Sequence, residues 1–274
     1  MSIIDTRALA KELLDAYRSG AIVSVPPSAR DTAFGLSDAY QTEAEFAALR
    51  KAAGAKAVGR KVGYANKAMW RVLKLETLVW AQMYEDTVHY AQGNEADYVL
   101  PPHRAPKIEP EIVFKLKKPI TAAGLDSSAV LGSVEWLAMG FEIIDCPFPD
   151  WQLKPQDFVA AFGLHLGLII GEPLKVDAAA IPELVEQLAG FHSKVWKNGE
   201  FIEGGSGRNS LRSPALCLAE LGGAILRGGS GEMLAAGELI SSGTLTAGQL
   251  IQRGEIWRVD VEGLPLAPLT VKLV

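Results

Sequence analysis

Residues 107–118 read KIEPEIVFKLKK, and this stretch constrains the fold more than any other. Side chains alternate across a strand. Ile108, Pro110, Ile112, Phe114 and Leu116 share one wholly apolar face, while Glu109, Glu111, Val113, Lys115 and Lys117 share the other. The first face demands a core against one side of a sheet. The second opens with two carboxylates, about 6–7 Å apart at strand rise. Pro110 has no N–H to donate, which places this end of the strand at an edge or a bulge. Two ionised carboxylates at that spacing repel. A hard divalent cation between them removes the cost, because Mg²⁺ and Mn²⁺ take oxygen ligands. The alternative for a bare Glu-x-Glu is a solvated polar face paired with basic residues. Glu142 bears on the choice, because it lies in the almost wholly apolar SVEWLAMGFEIIDC, residues 133–146. A buried carboxylate needs a cation, a metal or a raised pKa. An arginine partner remains open for Glu142. Three acidic side chains from two strands form a plausible open Mg²⁺ site, with water or substrate completing the octahedron.

The rest of the chain reads as α+β. Residues 1–56 form an N-terminal helical region, and residues 57–274 form a mixed β core. Leu9, Leu13, Leu14 and Tyr17 make one stripe of a first helix over 2–19, and Pro26-Pro27 stop any helix in the linker after it. Ser37 is the expected cap of a second helix that ends at Gly54. Strands are expected around residues 57–65, over Val99–Lys118 and over 133–146. HSKVWKNGEFIEGGSG is a hairpin turning at Asn198-Gly199, and GEIWRVDVEGLPLAPLTVKL, residues 254–273, forms another. Helix and strand interleave irregularly, so a regular βαβ series is not expected. The net charge is −5 with no basic block, which argues against nucleic acid as a partner. No apolar run reaches the roughly 18 residues of a membrane span, and the N-terminus lacks the order of a signal peptide. Two cysteines, Cys146 and Cys217, imply no disulfide framework, so a reducing cytoplasm is the expected setting.

Four motifs then occur in a telling order: VGRKVGYANKAM, the Glu-x-Glu, GFEIID and GELISSGTLT, preceded by SDAYQTE. In these the chain resembles the fumarylacetoacetate hydrolase superfamily, and within it the branch of 2-keto-4-pentenoate hydratases and 4-oxalocrotonate decarboxylases. The resemblance implies helices packed on a mixed, rolled β-sandwich core. It implies Mg²⁺ or Mn²⁺ held by Glu109, Glu111 and Glu142, chelating the carboxylate and 2-oxygen of a 2-oxo or 2-hydroxydienoic acid. It implies Lys61 as the catalytic proton carrier, Thr244 at the substrate carboxylate, and a homo-oligomer. Gly59 and Gly63 flank Lys61 and permit close approach of a ligand. A lysine near a metal is pushed toward a lower pKa, which suits proton transfer. Ser241-Ser242-Gly243-Thr244 supplies hydroxyls and turn N–H groups suited to an anion, so Ser242 joins Thr244 as a substrate-binding candidate.

The chain also departs from the family pattern. Residues 160–167 read AAFGLHLG where family hydratases carry Asp-Asn and a serine. His165 in that segment is either a new substrate-side group or a core histidine. Asp150, Lys154, Trp70, Trp80 and Trp151 are weaker candidates for the cavity wall. Hydration, decarboxylation of a vinylogous oxo acid and acylpyruvate hydrolysis all fit one such site. A non-catalytic carboxylate binder is the rival from another class. A nucleotide site is excluded, since neither GxxxxGK[ST] nor a strand-borne GxGxxG is present.

Overall fold

The computed structural model describes residues 2–229 and 231–274. The first helix, α1 (Thr6–Ser19), starts where Asp5 Oδ1 accepts the N–H groups of Arg7 and Ala8, at 3.0 and 3.1 Å. Its buried stripe includes Leu9, Leu13 and Leu14, as the spacing predicts. A short α2 (Pro27–Arg30) leads to α3 (Leu36–Ala52). The cap of α3 is not Ser37. The helix begins one residue earlier, and the Asp38 carboxylate reaches back to accept the Gly35 N–H at 2.9 Å. A carboxylate three residues into a helix captures an orphan donor that a serine inside the first turn cannot reach.

Then come β1 (Ala57–Gly63), α4 (Ala68–Leu73), β2 (Val79–Tyr84), β3 (Val88–Tyr90), β4 (Glu95–Tyr98), β5 (Lys107–Leu116), α5 (Ser127–Leu131) and β6 (Val134–Ile144). Next are α6 (Pro155–Ala160), β7 (His165–Ile170), β8 (Leu174–Lys175), α7 (Ile181–Gly190), β9 (His192–Lys197), β10 (Glu200–Ser206) and α8 (Pro214–Arg227). The chain closes with β11 (Leu239–Ser241), β12 (Gln249–Leu250), β13 (Ile256–Glu262) and β14 (Leu269–Leu273). The expected strand from Val99 is interrupted. Pro101, Pro102 and Pro106 carry the chain from β4 in one sheet to β5 in the other, because proline cannot sustain a ladder.

One mixed sheet runs β2-β1-β11-β5-β6-β7-β3, with β12 on β5 and β8 on β6. The other runs β10-β9-β13-β14-β4. Asn198 and Gly199 turn the β9–β10 hairpin with φ of 51° and 84°, the left-handed pair that a two-residue hairpin needs. Contrary to expectation, β5 is an interior strand. It pairs with β6 along its length and with β11 and β12 on its other side. The proline is tolerated because that second partner is split. Residues 242–248 leave the ladder between β11 and β12, and Pro110 O accepts Leu245 N–H there at 2.9 Å.

The face of β5 with Ile108, Ile112, Phe114 and Leu116 joins the main core, which also takes in α1, α3 and α8. The other face is divided. Val113, Ala138, Leu168, Ile170, Met83 and Leu239 form a smaller apolar cluster at one end. The glutamates occupy the other end. The N-terminal helices cover the β1–β2 corner: Glu43 accepts Gln82 N–H at 3.1 Å, and Phe46 stacks on Phe162. Cys146 and Cys217 are free and buried. Among the described residues no helix is long and apolar enough to cross a membrane.

Candidate metal centre and substrate cleft

Register assembles the site. Glu109 stands directly opposite Glu142 on β6, Glu111 stands opposite Gly140, and Lys61 is in line with Ser241 and Val113 across β1, β11 and β5. Side chains at these positions share a face. One carboxylate oxygen from each of Glu109, Glu111 and Glu142 lies within 4.8 Å of the other two. The side chains lean together, which makes the cluster tighter than strand spacing alone implies.

Each glutamate is held differently. Glu111 Oε2 accepts the Ser241 hydroxyl and the Gly243 N–H, the latter at 2.8 Å, while buried Oε1 has no hydrogen-bond partner. Glu142 Oε1 lies 2.7 Å from His165 Nδ1. Its Oε2 lies 3.0 Å from Lys61 Nζ, an ion-pair distance without hydrogen-bond alignment. The aligned bond from Lys61 goes to Gly163 O at 2.9 Å, and Nζ also sits 4.8 Å from the centre of the Phe158 ring. Glu142 is therefore matched by a lysine and a histidine, and among the described residues no arginine holds any of the three.

The charges are in tension. Burial pushes the Glu109 carboxyl up to about 7, with Lys61 pulling the other way. Burial, then the charges of Glu142 and Glu109, raise Glu111 well above the usual carboxylate range. Burial opposes ionisation of Glu142 too, but Lys61 and His165 outweigh it and hold that carboxyl low. Burial likewise disfavours the Lys61 ammonium, and the three carboxylates outweigh it, so Lys61 is held above its ordinary value. The charged protein groups that act on Lys61 are all acidic.

A cleft of about 560 Å³ opens onto this floor. Lys61, Glu109 and Thr244 line it, with Tyr64, Phe158, Leu153, Leu164, Met69 and Trp151 as apolar wall. Glu111 and Glu142 are fully buried beneath. Of the weaker candidates, Trp151 reaches the wall, whereas Asp150, Lys154, Trp70 and Trp80 do not. Ser242 and His165 are also buried off the cleft. The Ser242 hydroxyl donates to Ile112 O at 2.8 Å, and His165 stands behind Glu142. The 241–244 turn does offer an N–H to a carboxyl group, but the group is the protein's own Glu111. Thr244 donates its hydroxyl to Thr246 O at 2.8 Å and must turn to meet a substrate carboxylate. Gly59 and Gly63 make room for protein rather than ligand: added Cβ atoms would strike Leu239 O at 1.8 Å and the Phe158 ring at 2.4 Å. Lys107 escapes the sequence reading, although alternation puts it two residues before Glu109 on the same face. It lines the cleft with its ammonium 4.0 Å from the Trp151 ring centre.

The donor set suits a hard cation. Three carboxylates converge, and two buried oxygens, Glu111 Oε1 and Glu142 Oε2, have no hydrogen-bond partner.

No protein-family model matches the chain. A 2-hydroxypent-2,4-dienoate hydratase of Pseudomonas putida is 32% identical over 200 residues, covering 72% of this chain and 85% of the relative. A 2-hydroxyhexa-2,4-dienoate hydratase of Comamonas testosteroni is 28% identical over 254 residues, covering 93% and 92%. The solved structure of 4-oxalocrotonate decarboxylase from Pseudomonas putida G7, complexed with magnesium and adipate, superposes with a TM-score of 0.87 at 23% identity, over 98% of this chain and 97% of that one. The chain belongs to the fumarylacetoacetate hydrolase superfamily, in its branch of 2-keto-4-pentenoate hydratases and 4-oxalocrotonate decarboxylases.

Proposed function

We propose that this chain is a metal-dependent hydro-lyase that hydrates a 2-hydroxy-2,4-dienoic acid to a 4-hydroxy-2-oxo acid. The observation that carries the reading is the convergence of Glu109, Glu111 and Glu142 at the floor of an apolar-walled cleft. These three residues would hold Mg²⁺ or Mn²⁺. Bound there, the cation supplies a Lewis acid for the 2-oxygen and carboxylate of the substrate and favours the enolate form.

The chain's own groups do the rest. Ketonisation moves the 2-hydroxyl proton to C5, and water then adds across C3=C4, oxygen to C4 and hydrogen to C3. Lys61 Nζ, held as an ammonium by the three glutamates, or a water it holds, carries protons in these steps. Nζ stands at the cleft floor, fixed by Gly163 O and flanked by Phe158. Gly163, with φ of 65°, allows this approach, because a Cβ there would come within 2.6 Å of Lys61 Cδ. Tyr64, Leu153, Leu164 and Trp151 match an uncharged dienyl tail. Thr244 is the candidate for the substrate carboxylate.

Lys107 favours a second reading, decarboxylation of a dicarboxylic relative of the same substrate, since it offers a cation at the cleft wall for a second carboxylate. The test is ultraviolet loss of 2-hydroxypenta-2,4-dienoate and of 4-oxalocrotonate, each with Mg²⁺, with Mn²⁺ and with chelator. Metal-dependent consumption of the first supports hydration. Consumption of the second with carbon dioxide release selects decarboxylation, and loss of neither sinks the lyase reading.

A further inference from the structure

His165 does not touch the cleft, yet both of its ring nitrogens are engaged. Nδ1 lies 2.7 Å from Glu142 Oε1, and Nε2 lies 3.0 Å from Thr87 Oγ1. The Thr87 hydroxyl spends its own proton on Tyr84 O at 2.8 Å. It can therefore offer Nε2 only a lone pair, and the carboxylate can offer Nδ1 only a lone pair. The ring faces an acceptor at each end, which fixes its plane and makes Nδ1 a donor to Glu142.

The backbone is built for this contact. Glu142 pairs with Leu168 and Ile143 with Gly167, but Ile144 pairs with His165, so Leu166 is an extra residue in β7. By plain alternation Leu166 would follow Leu168 on the face of Glu142, and His165 would point away. The bulge turns His165 onto the carboxylate, a recurrent use of a bulge near a site. Behind the ring, Tyr17, Phe46, Phe162 and their neighbours leave a gap of only about 10 Å³. The ring is therefore closely packed on that side.

We propose that His165, seated by Thr87, is a positioning residue for the metal centre: it pins Glu142 Oε1 so that Oε2 stays aimed at the cation. This rests on the metal reading above. Groups that orient a metal-binding carboxylate are worth about 10–100-fold in metal affinity.

The test uses the full chain and Mn²⁺ alone, with free ion followed by electron paramagnetic resonance. Asparagine carries an N–H near the place of Nδ1, and glutamine carries one near the place of Nε2. His165→Asn keeps the donor to Glu142 and binds Mn²⁺ within about 3-fold of wild type. His165→Gln keeps only the Thr87 side and binds about 10-fold or more weakly. Thr87→Val removes the seat without touching the ring and also weakens binding, with the melting temperature reporting that each variant is folded. A packing role alone would not separate asparagine from glutamine in this order. Equal affinity of the two His165 variants, or wild-type affinity in both His165→Gln and Thr87→Val, overturns the assignment while leaving the metal reading intact. A wild-type chain that binds no Mn²⁺ overturns both.

Discussion

Replacing Glu111 by glutamine should stabilise the metal-free protein and abolish its stabilisation by metal. One carboxylate oxygen from each of the three glutamates lies within 4.8 Å of the other two. At 4.8 Å and an effective dielectric of about 20, two unit charges repel by about 3.5 kcal/mol. Glu111 faces two such neighbours and is drawn by Lys61. Its raised pKa lets it escape part of the repulsion by taking a proton, so substitution releases a net of about 1–3 kcal/mol. Glutamine preserves the shape. Its carbonyl still accepts from Ser241 and Gly243, and its amide supplies donors where Glu111 Oε1 has no partner. At about 2–4 °C per kcal/mol, the melting temperature in chelator should rise by about 2–12 °C. Wild type in Mn²⁺ at a hundred times its Kd should gain about 2.7 kcal/mol, and the variant should gain almost none. Differential scanning fluorimetry with and without Mn²⁺ reads both effects. A variant that melts lower than wild type in chelator, or gains as much from Mn²⁺, would refute the claim that repulsion at this cluster awaits a cation.

Lys61→Met should lower turnover about 10²–10⁴-fold, read by ultraviolet loss of the dienoate. It should also lower the melting temperature in chelator, because buried Glu142 loses its cation. Glu109 gives a pH signature. Its folded pKa of about 7 lies above the ordinary 4.5, so its contribution is favourable below about 4.5 and is lost as pH rises through about 7. In chelator, the melting temperature of wild type relative to Glu109→Gln should therefore fall from pH 5 to pH 8, and a flat difference would contradict the assigned shift. Lys107→Met should leave KM for a monocarboxylic dienoate unchanged and raise it for a dicarboxylic one. Steady-state kinetics on both substrates decides whether Lys107 meets a second carboxylate.

The features legible in the sequence are those that depend on short range. Alternation over 107–116 assigns the core face and the acidic face of β5, and Asn198-Gly199 marks the hairpin. Three acidic residues from two strands group correctly because β5 and β6 pair in a register that sets Glu109 against Glu142. The features that escape depend on distant partners. Pro110 reads as an edge signal, and nothing local reveals that residues 242–248 leave the ladder beside it. Ser242 reads as a ligand hydroxyl until its bond to Ile112 O is seen. His165 lies in an apolar run, and its surroundings turn on a one-residue bulge and on Thr87, two features that periodicity does not encode. The helix α7, IPELVEQLAG, also escapes, because one buried stripe of Leu184 and Leu188 is a weak signal over ten residues.

The central claim is that these three glutamates hold one cation, and anomalous diffraction from a crystal grown with Mn²⁺, recorded on both sides of the manganese edge, tests it most directly. The account predicts a single strong peak about 2.0–2.6 Å from a carboxylate oxygen of each of Glu109, Glu111 and Glu142. A cluster with no peak, or a peak bound elsewhere while Glu142 stays paired to Lys61, would contradict it.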